Sequence, residues 1–366
     1  VDSGSGPEAT VSQIYTHLFS TMGQMAGRTE IKWTEMRDDE LLDVRFCDLK
    51  LRLDETPLAD RIERLYGELA RRDLTFRPHF WLAEEWFSPD GVPGVAIPFY
   101  LAHPRLTKLE YQQMFEVEGG TDRWCMRLLR HETGHAIDTA YRLHRRKIWR
   151  QHFGVFGRAY PKYYTPRPQS RRYVLHLDWW YAQCHPAEDY AETFAVWLRP
   201  RSKWRREYAG WPALKKLEAV DQLMASIAGT TPPVRSRRQI EPLSTNRTTL
   251  REHYAAKRAH YGVDVPAFYD GDLQRLFTRT PGGGKRRRTA AAFLRRAAPE
   301  LCQVCARGTG EHPYFIAQLV QEMVRRCREL NLYVDVPERQ VMLDVAVLIT
   351  VQTVNYLHSG QHKVPV

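Results

Sequence analysis

The stretch RLLRHETGHAIDTAYRLHRR, Arg127 to Arg146, decides how the rest of the chain is read. His131 and His135 stand four residues apart, and Glu132 follows the first directly. A helix turns about 100° per residue, so side chains four apart share one face. Two imidazoles placed that way can take two corners of a tetrahedral zinc site, with Glu132 turned slightly aside and within reach of a water at a further corner. A carboxylate there can accept the water's proton as the oxygen attacks a carbonyl. The competing reading is an accidental HExxH on a solvated basic helix. Leu128, Leu129, Ala136 and Ile137 flank the motif and predict instead a helix buried beside a cleft. Thr121 or Asp122 is a natural N-cap for it. Gly134 weakens the helix, and its missing side chain permits another backbone to come close.

The motif needs a third ligand. The continuation HExxHxxGxxH would place Gly at 138 and His at 141; the chain has Asp138 and Tyr141, which excludes that class. Asp138 then belongs to the support of the site or to the surface. A glutamate-type site draws its acid from a second helix. PAEDYAETFAVWLRP (186–200) reads as a strong helix with Pro186 in its first turn, and it carries Glu188 and Glu192 on one face. An acidic pair on such an apolar, aromatic helix is costly unless a metal or a histidine compensates it. A merely solvated acidic face suits Asp189 better.

HETGH followed by this helix resembles thermolysin-like metallopeptidases and the EFFAEAF-type helix of lethal-factor peptidases. It is most similar to a bacterial family of gluzincin-like zinc-binding metallopeptidases, over roughly residues 30–230. The resemblance implies a zincin-like catalytic domain holding one zinc ion. By carry-over, His131, His135 and Glu188 are the ligands and Glu132 is the general base. Glu192 stands behind, bonded to a zinc-bound histidine; a shifted register would exchange Glu188 and Glu192. Tyr181, in DWWYAQCHPAE, matches in placement a catalytic tyrosine of lethal factor and is the expected stabiliser of the oxyanion. His176, His185, Tyr163 and Tyr164 compete for that role.

Elsewhere the patterning is coarser. LLDVRFCDLKLRL (41–53), TFRPHFWLAEEWFS (75–88) and GVAIPFYLAHP (94–104) read as strands. Pro98 puts the last at an edge, where an extended peptide substrate could add as a further strand. Helices are expected at 57–73, 105–118 and 213–229, and a long loop at 150–178 that covers the site or moves. GTTPPVRSRRQIEPLST (229–245) is linker-like. The expected organisation is an N-terminal tail and first helix (1–30), a catalytic domain (31–230), a linker (231–246) and a helical C-terminal domain (247–366). The fold class is thus α+β, with a small mixed sheet beside the active-site helix.

Residues 231–300 hold 15 Lys and Arg against 6 Asp and Glu, within a chain of net charge +11. A nucleic-acid or acidic partner on this region is the alternative to a peptidase acting on a peptide or protein, with the metal site then a tethered protease or a structural site. No run of about 18 apolar residues suggests a membrane span. The six scattered cysteines suggest reduced thiols and a cytoplasmic setting. Cys302-x-x-Cys305 with His312 and Cys327 lacks a matching second half and reads as buried thiols. GGGKRRRT (282–289) lacks the spacing of a phosphate loop and reads as a basic loop.

Overall fold

A computed structural model describes residues 32–167, 169–261, 270–279, 288–356 and 364–365. The expected N-terminal tail and helix, and most of the 282–289 loop, lie outside the described residues. The fold is mixed and dominated by helices around a small sheet. Helix α1 (Leu58–Ala70) buries Leu58, Ile62, Leu65 and Leu69, a stripe at helical spacing. Strands β1 (His79–Ala83) and β2 (Gly94–Pro98) pair in parallel. Then come α2 (Pro104–Met114), α3 (Asp122–Tyr141), α4 (Lys147–Phe153), α5 (Pro186–Leu198) and α6 (Ala213–Ala225). Helix α7 (Leu250–Tyr261) precedes the C-terminal helices α8 (Ala290–Thr309), α9 (Pro313–Glu329) and α10 (Glu338–Tyr356).

Of the three expected strands, one is absent and the other two are shorter than expected. The 41–53 stretch forms a short helix, Asp38–Leu42, and single turns at Phe46–Asp48 and Leu53–Glu55. Leu41, Val44, Phe46 and Leu49 all turn inward at uneven spacing, which a two-residue period cannot do. The Phe46 and Cys47 amides donate instead to carbonyls at Thr248 and Asn246. Of 75–88, only His79–Ala83 is paired strand; the chain then turns, and the Phe87 carbonyl accepts from Ala96 on the far edge of β2. Every residue of β2 is buried. The sheet has two strands, so β2 is an edge strand as Pro98 predicts, but it is covered, and Phe87 already takes the Ala96 amide on its far side.

Two hydrophobic cores organise the described residues. The first gathers α1 to α6, the sheet, and Leu250 and Tyr254 of α7. The second is built from α8, α9 and α10 and contains Cys302, Cys305 and Cys327 as buried free thiols. His312 caps α9 by accepting from the Tyr314 amide, so it is not drawn toward the cysteines. The segment between α6 and α7 is strapped to the first core: Val234 N–H donates to Ala140 O, and Trp81 Nε1–H to Ile240 O. Part of the basic charge further on is matched internally. Arg251 pairs with Asp39 and Asp43, Lys257 with Glu85 and Glu110, and Arg288 and Arg296 with Glu338. No helix among the described residues is long and apolar enough to cross a membrane.

Candidate metal centre

Helix α3 starts where Thr121 caps it, its side chain accepting from the Trp124 amide. Fifteen of its twenty residues are buried, so it is not a solvated basic helix. Arg130 and Glu68 of α1 form a buried two-bond ion pair, at 2.6 and 2.8 Å, that fixes the rotation of α3 about its axis. Helix α5 is buried from Ala187 to Leu198 and lies directly against α3. Gly134 makes this closeness available. A methyl group there would stand 2.9 Å from the Cα of Ala191 and 3.2 Å from the Phe194 ring.

The crossing brings three donor atoms to one point. His131 Nε2 lies 3.0 Å from Glu188 Oε2, His135 Nε2 lies 3.1 Å from the same oxygen, and the two nitrogens are 3.2 Å apart. These three residues form a buried group that could hold a metal ion. Behind it, His131 Nδ1–H donates to Glu192 Oε1 at 2.9 Å. The other oxygen of Glu192 accepts from the Leu177 amide at 2.8 Å. His131 is thereby held with its Nε2 facing inward. Burial alone disfavours a charged His131 ring, but Glu188 and Glu192 against its two nitrogens outweigh that and raise its pKa well above the histidine value. The converse holds for Glu188: burial opposes its charge, and His135 and His131 hold it well below the usual carboxylate range.

Glu132 lines the cleft of about 1380 Å³ onto which the group opens. Burial raises its pKa, against the pull of His131 and His135. Tyr181 lines the same cleft, its ring centroid 5.8 Å from that of His131. Burial, with Glu188 nearby, raises the Tyr181 pKa well above the ordinary phenol value and keeps the hydroxyl protonated. The rivals to Tyr181 are occupied elsewhere. His176 Nε2–H donates to the Arg127 carbonyl, and burial drives its pKa down to about 4, so it is a neutral strut under α3. Tyr164 donates to the Trp179 carbonyl. Both ring nitrogens of His185 are bonded to backbone. The side chain of Tyr163 lies outside the described residues. Asp138 neither reaches the metal group nor sits at the surface; it is buried and accepts from His144, through the backbone amide at 2.6 Å and Nδ1 at 3.2 Å.

One residue in the cleft went unread in the sequence. Tyr160 donates to Glu188 Oε1 at 2.6 Å. It belongs to the 150–178 segment, where nothing local separates it from Tyr163 or Tyr164. That segment is also less of a loop than expected, since α4 occupies its start and a two-residue strand sits at Tyr163–Tyr164. The far wall of the cleft is acidic, with Glu84, Glu85, Glu116 and Glu118 facing Lys257 and His253 of α7. Comparison with protein-family models, with curated proteins and with solved structures found no match.

Proposed function

We propose that the chain is a zinc-dependent metallopeptidase of the gluzincin-like kind, with a zincin-like domain and His131, His135 and Glu188 as ligands. The observation that carries this reading is the convergence of three donor atoms at 3.0 to 3.2 Å on a point beside Glu132. Zinc bound by nitrogen and oxygen at about 2.0–2.1 Å separates its tetrahedral ligands by about 3.3 Å, so the triangle fits with a few tenths of an ångström of relaxation. Two imidazoles and one carboxylate, with no fourth protein ligand among the described residues, match a catalytic rather than a structural site. Zinc there supplies a Lewis acid and a bound water of lowered pKa.

The chain's own residues do the rest. Glu132, which lines the same cleft, would take a proton from water and pass it to the departing amine, and the rise that burial gives its pKa makes it a stronger base than an exposed glutamate. Tyr181 keeps its proton and can donate to the oxygen that becomes negative. Glu192 orients His131. The nucleic-acid alternative has no comparable constellation behind it, and four of the fifteen cations of the basic region, Arg251, Lys257, Arg288 and Arg296, are engaged within the chain.

The test is cleavage of a mixed peptide library, read by mass spectrometry, for the zinc-loaded protein and for Glu132→Gln. The expected result is cleavage by the first and none by the second, with zinc retained in both. Equal cleavage by both, or none by either, rejects the reading for such peptides.

A further inference from the structure

We infer that Tyr160 is a positioning residue for the metal, holding one oxygen of Glu188 so that only the other faces the two histidines. The inference rests on the metal reading above and adds a member to the site. A carboxylate can bind an ion through one oxygen or two, and a hydrogen bond on one oxygen biases it toward single attachment. Here the two oxygens are divided. Oε2 lies against His131 and His135, and Oε1 accepts from the Tyr160 hydroxyl at 2.6 Å, a short bond to a charged acceptor.

The phenol is aimed by a built support. Its ring stacks on His185, with centroids 3.8 Å apart and planes 18° from parallel. The orientation of His185 is set by two backbone bonds. Its Nδ1 accepts from the Ala187 amide, capping α5, so the proton is on Nε2, which donates to Arg158 O at 2.8 Å. One imidazole thus caps the helix that carries Glu188 and pins the segment that carries Tyr160. A second imidazole does similar work upstream. Phe156 stacks on His144 at 4.3 Å, and His144 is held by Asp138 at the end of α3. Tyr160 is therefore tied to both ligand-bearing helices. Yet it is 49% exposed, so a core-packing role does not account for it.

The test uses Co²⁺ as a visible probe of coordination in the full chain. Tyr160→Phe keeps the stack and removes the hydroxyl. The expected result is a Co²⁺ affinity weaker by about 10- to 100-fold, the usual range for losing an outer-shell partner. The visible absorption should also change in intensity as Glu188 gains freedom to bind through both oxygens, while the thermal midpoint of the metal-free protein stays put. His185→Asn keeps a side-chain oxygen for the helix cap but removes the stack. It should shift affinity and spectrum the same way, and the double variant should lose no more than Tyr160→Phe alone. Tyr160→Phe with wild-type affinity and spectrum overturns the inference. So does a double variant whose losses add. A wild-type chain that binds no Co²⁺ overturns the metal reading and this one together. Failure of peptide cleavage alongside the expected Co²⁺ results would reject the peptidase and leave the role of Tyr160 standing.

Discussion

Gly134→Ala should separate the stability of the protein from the integrity of its metal group. The added methyl would meet the Ala191 Cα at 2.9 Å, against an ordinary contact distance of 3.4–4 Å. Because the obstacle is backbone, relief requires α3 and α5 to part by about 0.5–1 Å. Overpacking of that size costs about 1–3 kcal/mol, and Ala in place of Gly inside a helix returns about 1 kcal/mol, so the net loss is about 0–2 kcal/mol. The metal group is hit harder. Gly134 lies within one turn of His131 and His135, and Ala191 within one turn of Glu188. The His131–His135 distance of 3.2 Å is internal to α3 and survives, whereas the 3.0, 3.1 and 2.9 Å contacts to Glu188 and Glu192 cross the gap and lengthen. Metal affinity, measured by competition with a chromophoric chelator, should fall by more than about 10-fold. The metal-free protein should melt only slightly lower. Ala191→Gly in the same chain should rescue in part, since it removes the 3.3 Å contact with the Ala191 Cβ but not the one with Cα. Wild-type metal affinity in Gly134→Ala would refute the argument that the helix crossing sets the site.

Three further outcomes are expected. Glu192→Ala should weaken metal binding by about 10- to 100-fold while leaving the metal-to-protein ratio at saturation unchanged, as read by titration. Arg130→Ala leaves the buried Glu68 carboxylate unpaired and should cost about 3–5 kcal/mol in denaturant unfolding; a loss under about 1 kcal/mol would show the pair to be dispensable. Glu118 has its pKa pushed up to about 8, first by burial and then by Glu85, with Lys257 opposing and Glu116 and Glu132 adding. The folded chain therefore holds a proton that the unfolded chain has already released, and stability from this group is lost as pH rises from the ordinary carboxylate value to about 8. Glu118→Gln removes that loss, so its melting temperature should gain on wild type between about pH 5 and pH 8; a constant difference would refute the assignment.

The site was legible where the chemistry is local to a helix. The four-residue spacing of His131 and His135, the flanking apolar residues and the glycine between them all describe one helix face, and helix geometry is fixed enough to place side chains from spacing alone. Glu188 and Glu192 are legible as a pair for the same reason, although only the three-dimensional crossing assigns one to the metal group and the other to His131 Nδ1. Tyr160 was illegible because its position depends on a ring far along the chain: it stacks on His185, across the whole of the intervening segment. The 41–53 stretch misled because alternation of apolar and charged residues suits a strand, yet its backbone amides find partners beyond residue 245 that no local pattern announces. Pro98 marked an edge strand correctly, but not that the edge is covered, because the Phe87 carbonyl that meets it comes from a turn after β1.

The return of α7 to the first core bears on how the chain responds to proteolysis. The strap that leads to α7 exposes Arg235, Arg237 and Arg238. A trypsin-like nick there severs the backbone but not the contacts of Leu250 and Tyr254 in the core, nor the bonds of Lys257 to Glu85 and Glu110. The two fragments should migrate together under native conditions and part only in denaturant. A chain ended by a stop codon at 246 has no such recourse: it would leave Glu85 and Glu110 without their cation and open one wall of the cleft to water.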